Sequence, residues 1–373
     1  MSGAIQAFTM PKWGLTMEKG TLTAWLRAVG DRVEPGMEIC EVETEKIANA
    51  VESPVGGILR RIVAAEGEVL PVGALLAIIA DETATDEEVD AVVMKFQASY
   101  VPPAAGESEA VGPRPETIEV AGRRVRHLIQ RGAGEAVVLV HGFGGNLENW
   151  LLNHGALAAA GWTVAALDLP GHGESSKPVD SGSLEELSAA VLDYMDAVEI
   201  ERAHLVGHSM GAAICLAIAL RAPERVRSLT LIGPAGLGQD IDQGYVREFI
   251  AARDRRQLKP VLQMLFADES LVTRQLVEDT LKYKRLEGVA EALSAIAGAG
   301  LAAARPGAGL RDAVGRVPTL VIWGSKDAVI TPPDPAAFTS DDAELHVLQG
   351  YGHMVQVEAA AEVNRLIEGL IRR

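Results

Sequence analysis

A serine, an aspartate and a histidine follow one another along the chain, each in a short glycine-bearing segment after an apolar run: Gly207-His208-Ser209-Met210-Gly211, Trp323-Gly324-Ser325-Lys326-Asp327 and Gly350-Tyr351-Gly352-His353. These types suffice for nucleophilic acyl transfer, in which a hydroxyl attacks a carbonyl, an imidazole takes and returns its proton, and a carboxylate holds the imidazole. The first segment has the Gly-x-Ser-x-Gly form, whose glycines let a strand and a helix close on a strained turn that exposes the serine. A bare match of that length is common by chance, so the surroundings must supply its weight. A different chemistry is offered by Glu43-Thr44-Glu45-Lys46, where an acidic turn between two apolar runs displays a single lysine amine.

The elements that would position the first set are legible from residue 116 onward. Apolar runs at 136–140, 163–167, 203–206, 228–232, 319–323 and 344–348 alternate with Ala- and Leu-rich helical stretches, which predicts a mostly parallel sheet covered by helices. Residues 117–129 read as an antiparallel pair ahead of it. Ser209, Asp327 and His353 each fall just past the carboxyl end of a run, where such sheets place their function. His141-Gly142-Phe143-Gly144-Gly145 after the first parallel run and the Asp168–Ser175 segment after the next resemble the corresponding loops of α/β-hydrolases. The resemblance implies a catalytic triad of Ser209, Asp327 and His353 and an oxyanion hole made by the Phe143 and Met210 N–H groups.

Asp168 and His172 are read as structural, His208 as locally hydrogen-bonded, and Cys215 as core. His127, His154, His204 and His346 read as packing or surface groups. About 236–309 the pattern is helical and interrupts the strands, as a cap would. It carries Arg253, Arg255, Arg256, Lys259, Lys282, Lys284 and Arg285, either solvated helix faces or a landing surface for an anionic cosubstrate or the acidic first domain.

The first 80 residues are short apolar runs broken by Gly and Pro, a small all-β pattern. Gly30-x5-Gly36 and Gly67-x5-Gly73 each precede a run, which suggests two similar sheets about a pseudo-two-fold axis. Together with Met10-Pro11, Gly20, Trp25, Asp31, Glu43 to Lys46, Gly56 and Val72, this region resembles a lipoyl domain of the 2-oxoacid dehydrogenase type. The resemblance implies lipoate in amide linkage on Lys46, with Glu45 standing where that family has Asp. A biotinyl domain shares the architecture, but biotin sites resemble Met-Lys-Met and Lys46 lies between Glu45 and Ile47.

Between the two regions, residues 81–115 hold 2 basic and 8 acidic groups. Thr85-Asp86-Glu87-Glu88 is a capping-box pattern, and Val89, Val92, Val93 and Phe96 follow at helical spacing; the helix would pack on the first domain or dock to a partner. Residues 99–115, rich in Pro and Ala, read as an extended linker. The whole chain, 373 residues with a net charge of -17, repels nucleic-acid phosphates and anionic lipid. Cys40 and Cys215 alone cannot build a disulfide framework or a thiolate zinc site. With no presequence pattern and no apolar run long enough to span a bilayer, the expected address is the cytoplasm.

The fold expected is therefore multidomain: a small all-β lipoyl domain, a flattened β-barrel, over 1–80; a helix and linker over 81–115; and an α/β-hydrolase domain with a helical cap over 116–373. That pairing resembles the lipoate acetyltransferase components of bacterial acetoin dehydrogenase complexes. The resemblance implies transfer of acetyl from S-acetyldihydrolipoyl-Lys46 to coenzyme A. It also implies a thiamine-diphosphate-dependent acetoin-cleaving enzyme and dihydrolipoamide dehydrogenase as partners, and a homo-oligomer. The chain departs from ordinary lipoate acyltransferases in lacking His-x-x-x-Asp-Gly and a small subunit-binding domain in 81–115. Two alternatives stay open: a lipoyl-tethered hydrolase of an ester, thioester or C–C bond, and a lipoyl carrier on a non-catalytic scaffold.

Overall fold

The computed structural model describes residues 5–11, 19–43, 48–100, 113–238, 240–305, 307, 309–333 and 343–373. Lys46 and residues 101–112 of the expected linker lie outside them. The chain divides into two compact units, Met1–Gly112 and Pro113–Arg373.

In the small unit the described strands are β1 (Ile5–Thr9), β2 (Lys19–Trp25), β3 (Arg32–Val33), β4 (Glu38–Glu43), β5 (Ala48–Glu52), β6 (Gly57–Ile62), β7 (Val69–Pro71) and β8 (Leu75–Ala80). They form two antiparallel four-stranded sheets, ordered β1-β8-β6-β3 and β5-β4-β2-β7. Phe8, Leu22, Ile39, Cys40, Leu59 and Leu76 are among the side chains that form its core. Gly30, Gly36, Gly67 and Gly73 all sit at left-handed φ, between 80° and 99°, which glycine adopts without the steric cost of a Cβ. The two Gly-x5-Gly segments are thus two copies of one turn. The interval from Gly30 to Gly67 also carries β4 onto β8, and the strand order of one sheet is the image of the other.

Helix α1 (Asp86–Ser99) completes this unit. Thr85 Oγ1 accepts from Glu88 N at 3.2 Å and Glu88 Oε2 accepts from Thr85 N at 2.9 Å, the reciprocal cap expected. Val89 is buried, and Val92, Val93 and Phe96 pack with Ile5, Ala7, Leu75 and Ile78. Asp86 and Asp90 pair with Arg60 and Arg61 of β6 at 2.7 and 2.5 Å. The apolar stripe of α1 is therefore covered by its own domain.

The large unit holds β9 (Glu116–Val120), β10 (Arg123–Gln130), β11 (Ala136–Val140), α2 (Leu151–Ala159), β12 (Thr163–Leu167), α3 (Leu184–Ala197), β13 (Ala203–His208), α4 (Met210–Arg221) and β14 (Val226–Ile232). After these come α5 (Gln243–Ala251), α6 (Arg255–Gln263), α7 (Arg274–Lys284), α8 (Val289–Ile296), β15 (Thr319–Gly324), β16 (Ala343–Leu348), α9 (Val355–Glu358) and α10 (Ala360–Ile371). The sheet order is β16-β15-β14-β13-β11-β12-β10-β9. Pairs from β12 to β16 are parallel, while β9 and β10 add antiparallel at one edge. β13 and β15 are buried along their whole length, as strands covered on both faces must be, and this explains their unbroken apolar runs. The strand order reverses between β11 and β13, so the loops after these two strands open a crevice at the carboxyl edge.

Candidate active site

β13 continues two residues past its expected end, to His208, and Ser209 then turns the chain into α4 with φ 55° and ψ −117°. A non-glycine residue in this region costs on the order of 1–3 kcal/mol, so the surroundings must impose it. They do: a Cβ on Gly207 would lie 2.5 Å from Gly211 O, and one on Gly211 only 2.2 Å from Val140 O. Ser209 N donates to Ile232 O at 2.9 Å, which ties the turn to β14. Ser209 is thereby fixed at the N-terminus of α4 beside the crevice.

Asp327 and His353 arrive from the carboxyl ends of β15 and β16. His353 Nδ1–H donates to Asp327 Oδ2 at 2.7 Å, and both side chains are almost fully buried. The carboxylate also accepts from Val329 N and Ile330 N at 2.8 Å each and from Trp323 Nε1 at 3.1 Å. So engaged, it serves only as an acceptor, fixes the His353 tautomer, and leaves Nε2 with its lone pair. Gly233 at the end of β14 makes room for the pair: its Cβ would meet His353 Nδ1 at 3.1 Å and Asp327 Oδ2 at 3.3 Å. His208 Nε2–H donates to His353 O at 3.1 Å with the rings 4.6 Å apart, and burial holds His208 well below the usual histidine range. Sequence reading expected a local role for His208; its bond instead spans from the nucleophile's strand to the base's loop.

The loop after β11 lies against Ser209, since a Cβ on Gly142 would be 3.0 Å from Ser209 Cβ. His141 Nε2 accepts from Leu169 N at 3.0 Å and its Nδ1–H donates to Gly142 O at 2.8 Å, pinning this loop to the one after β12. Burial lowers His141 to about 4, so the ring stays neutral. The structure thus brings Phe143 and Met210 to the ends of the adjacent strands β11 and β13. Met210 N–H is the first of α4 and has no partner within the helix.

The segment between β14 and β15 is helical and touches each of these loops. Phe249 of α5 fills the space above Gly144, where a Cβ would lie 2.5 Å from the ring, and it meets the Phe143 ring at 5.9 Å. Tyr283 Oη–H donates to Gly171 O at 2.9 Å. Glu358 binds Ala267 N (2.8 Å) and Asp268 N (3.2 Å) through Oε1 and Gly352 N (2.7 Å) through Oε2, so one carboxylate joins the cap to the loop bearing His353. Nothing in the sequence pattern singled out Glu358. Of the basic residues expected on a solvated or landing surface, Lys284 is corrected: it is buried, donates to Phe249 O and Ile250 O at the end of α5, and lies 4.6 Å from the Phe249 ring centroid. Desolvation, with Arg253 nearby, lowers its amine to about 8.

Asp168 has the structural role expected of it, accepting from Leu147 N and Glu174 N at 2.8 Å each and facing Arg126. Lys177, which the sequence did not mark, donates to the carbonyls of His172, Gly173 and Ser175. His127 meets Tyr194 Oη, His154 meets Val164 O, and His204 bridges Ser228 and Glu135, all as packing groups. Cys40 and Cys215 are buried and free, and burial pushes the Cys40 thiol up to about 12. No metal-binding cluster and no helix long and apolar enough to cross a membrane occur among the described residues. Lys46 lies outside them, but β4 and β5 on either side pair with Glu43 opposite Ala48, so 44–47 connect two antiparallel neighbours.

The sequence profile described as "alpha/beta hydrolase fold" matches residues 135–360, and that described as "Biotin-requiring enzyme" matches 6–79. A Pseudomonas putida protein named dihydrolipoyllysine-residue acetyltransferase component of acetoin cleaving system is 50% identical over 99% of each chain. One of the same name from Cupriavidus necator is 44% identical over 99% of this chain and 98% of its own. Among solved structures, a mutant meta-cleavage product hydrolase from Pseudomonas fluorescens IP01 is 28% identical, with a TM-score of 0.62, over 69% of this chain and 97% of its own.

Proposed function

The chain belongs to the family of dihydrolipoyllysine-residue acetyltransferase components of acetoin cleaving systems, and from that premise we propose that it moves acetyl from S-acetyldihydrolipoyl-Lys46 to coenzyme A. The observation that carries the catalytic part is the buried His353–Asp327 pair, with its tautomer set, beside a strained Ser209. A lipoyl group on Lys46 would supply a thiol that presents the acyl group as a thioester; a lysine in the connection of the β4–β5 hairpin suits that attachment.

Ser209 Oγ attacks the thioester carbonyl while its proton passes to His353 Nε2. The oxyanion is held by Phe143 and Met210 N–H. The carbonyl re-forms, the C–S bond breaks, and the leaving thiol takes the proton from His353. The acceptor thiol then gives its proton to His353 and attacks the acyl-serine, and Ser209 recovers the proton as it leaves. Asp327 stays ionised throughout, orients the ring and stabilises its transient positive charge.

The same reading gives the chain a thiamine-diphosphate-dependent acetoin-cleaving enzyme and dihydrolipoamide dehydrogenase as partners, a homo-oligomeric state and a cytoplasmic location, with the domain limits set out above. The decisive experiment supplies acetyl-dihydrolipoamide with and without coenzyme A and identifies the products. Acetyl-coenzyme A should form and free acetate should be minor; acetate released at one rate regardless of coenzyme A would make the protein a hydrolase.

A further inference from the structure

His172 has no exposed surface, yet its Nε2 has no hydrogen-bond partner. Its Nδ1 meets Pro170 O at 3.0 Å, and a carbonyl only accepts, so the proton is on Nδ1 and Nε2 carries a bare lone pair. Leaving such an acceptor buried and unmet is costly, and native structures tolerate it where a ligand will complete it. The loop is otherwise held with unusual thoroughness. Lys177 binds its carbonyls at 172, 173 and 175, Asp168 ties its two ends, and Tyr283 fixes Gly171 from the cap. Burial of Trp150 Nε1 and Gln356 Oε1 without partners involves helical segments instead.

The position of the ring points to the acyl pocket. It meets the Phe143 ring edge-on at 6.3 Å and the His141 ring at 5.0 Å, and Phe143 is the residue whose N–H is assigned to the oxyanion. Cap residues Ala292 and Ile296 close on the neighbouring Gly171, with a Cβ there 2.9 and 3.2 Å from them. We infer that His172 Nε2 accepts a hydrogen bond from a substrate thiol S–H and so favours a thiol over water at the acyl-enzyme. The inference rests on the transfer reading above. A confined water needs two to four polar partners, whereas this corner of aromatic and aliphatic groups offers a single lone pair. A thiol has a single donor and a soft, weakly hydrated sulfur, and matches it. Burial lowers His172 to about 3, so it takes no proton from the thiol; His353 remains the base.

The full-length, lipoylated chain is tested with acetyl-dihydrolipoamide, and the ratio of acetyl-coenzyme A to acetate is measured together with p-nitrophenyl acetate hydrolysis. His172→Phe should lower the ratio about tenfold, the worth of one hydrogen bond at the upper end, while ester hydrolysis holds. His172→Gln, which keeps an acceptor, should restore most of it, and His172→Leu makes the same comparison should Phe not be accommodated. S-acetyl-N-acetylcysteamine, a donor with no second thiol, separates the two sources: a loss that persists assigns the bond to the acceptor thiol, and one that disappears assigns it to the free thiol of the dihydrolipoyl group. An unchanged ratio, or equal loss of transfer and ester hydrolysis, overturns the inference alone. A normal chain that yields only acetate overturns the transfer reading and this inference with it.

Discussion

The two units place reactive groups by opposite means. The small one repeats a single turn and sheet, and its candidate lysine stands in the connection between two strands that are already neighbours, β4 and β5. The large one gathers its groups from the ends of β11, β13, β15 and β16, far apart in sequence, and fixes each with buried hydrogen bonds. A carrier needs its group accessible to several enzymes, so a local turn suffices. A nucleophile and base need sub-ångström alignment, so the whole sheet edge is recruited.

The sharpest division of labour should appear in a crossed pair of variants. With free acetyl-dihydrolipoamide, Ser209→Ala should lose on the order of 10³-fold or more in acetyl-coenzyme A formation, and His353→Ala should add little to it. Lys46→Arg should leave that rate intact, abolish the lipoyl mass addition and stop acyl delivery from the complex. A Lys46→Arg chain that fails on the free substrate too would erase the distinction between the units. Next in size, Glu358→Gln leaves a backbone N–H of the cap or of Gly352 facing an amide NH₂, so turnover should fall about tenfold, with about 1–3 kcal/mol of large-unit stability lost on urea unfolding. Unchanged turnover would mean that the cap and the base loop are not coupled through it.

On the small unit, Thr85→Ala should cost about 1 kcal/mol by removing the cap of α1. Urea unfolding followed by the lone small-unit tryptophan pair, Trp13 and Trp25, should register it, and turnover of free substrate should not change. The smallest effect concerns Lys284. Its folded pKa of about 8 lies below the usual lysine range of the unfolded chain, so the unfolded state binds more protons between the two. Stability of the large unit should therefore rise as pH climbs from about 8 through that window, with the penalty fully present below it. Lys284→Met should lack this rise; an identical pH dependence in both chains would place the amine in water.

Much of this arrangement is legible in the sequence. Runs such as Ala203 to Val206 and Thr319 to Trp323 are apolar throughout because parallel strands are covered on both faces, and the Ser, Asp and His after them could be ordered from that alone. The Thr85 to Glu88 cap was equally plain, since its donors and acceptors lie three residues apart. Supports that act across the chain were not. Glu358 reaches Ala267 over a long separation, Lys177 takes its partners from carbonyls that any residue supplies, and neither leaves a spacing to detect. Lys284 misled because lysine is ordinarily solvated, and only the end of α5 above it supplies the carbonyls that let it be buried. His172 was read as structural from its motif, and its empty ring nitrogen is visible only once the neighbours are in place.

Duplication within the small unit has one more consequence. The interval that carries β4 onto β8 makes the corner after β4 equivalent to the corner after β8, so the fold offers two mooring points of the same kind. They cannot both be hooks. The chain returns from the first into β5, but from the second it runs through Asp81 to Ala84 into α1 and away. One corner is thereby free to bear a load while its twin is spent as the anchor cable, and the valency of the domain is one. Carrying capacity can then grow only with the number of chains brought together, never by using the second half of the repeat.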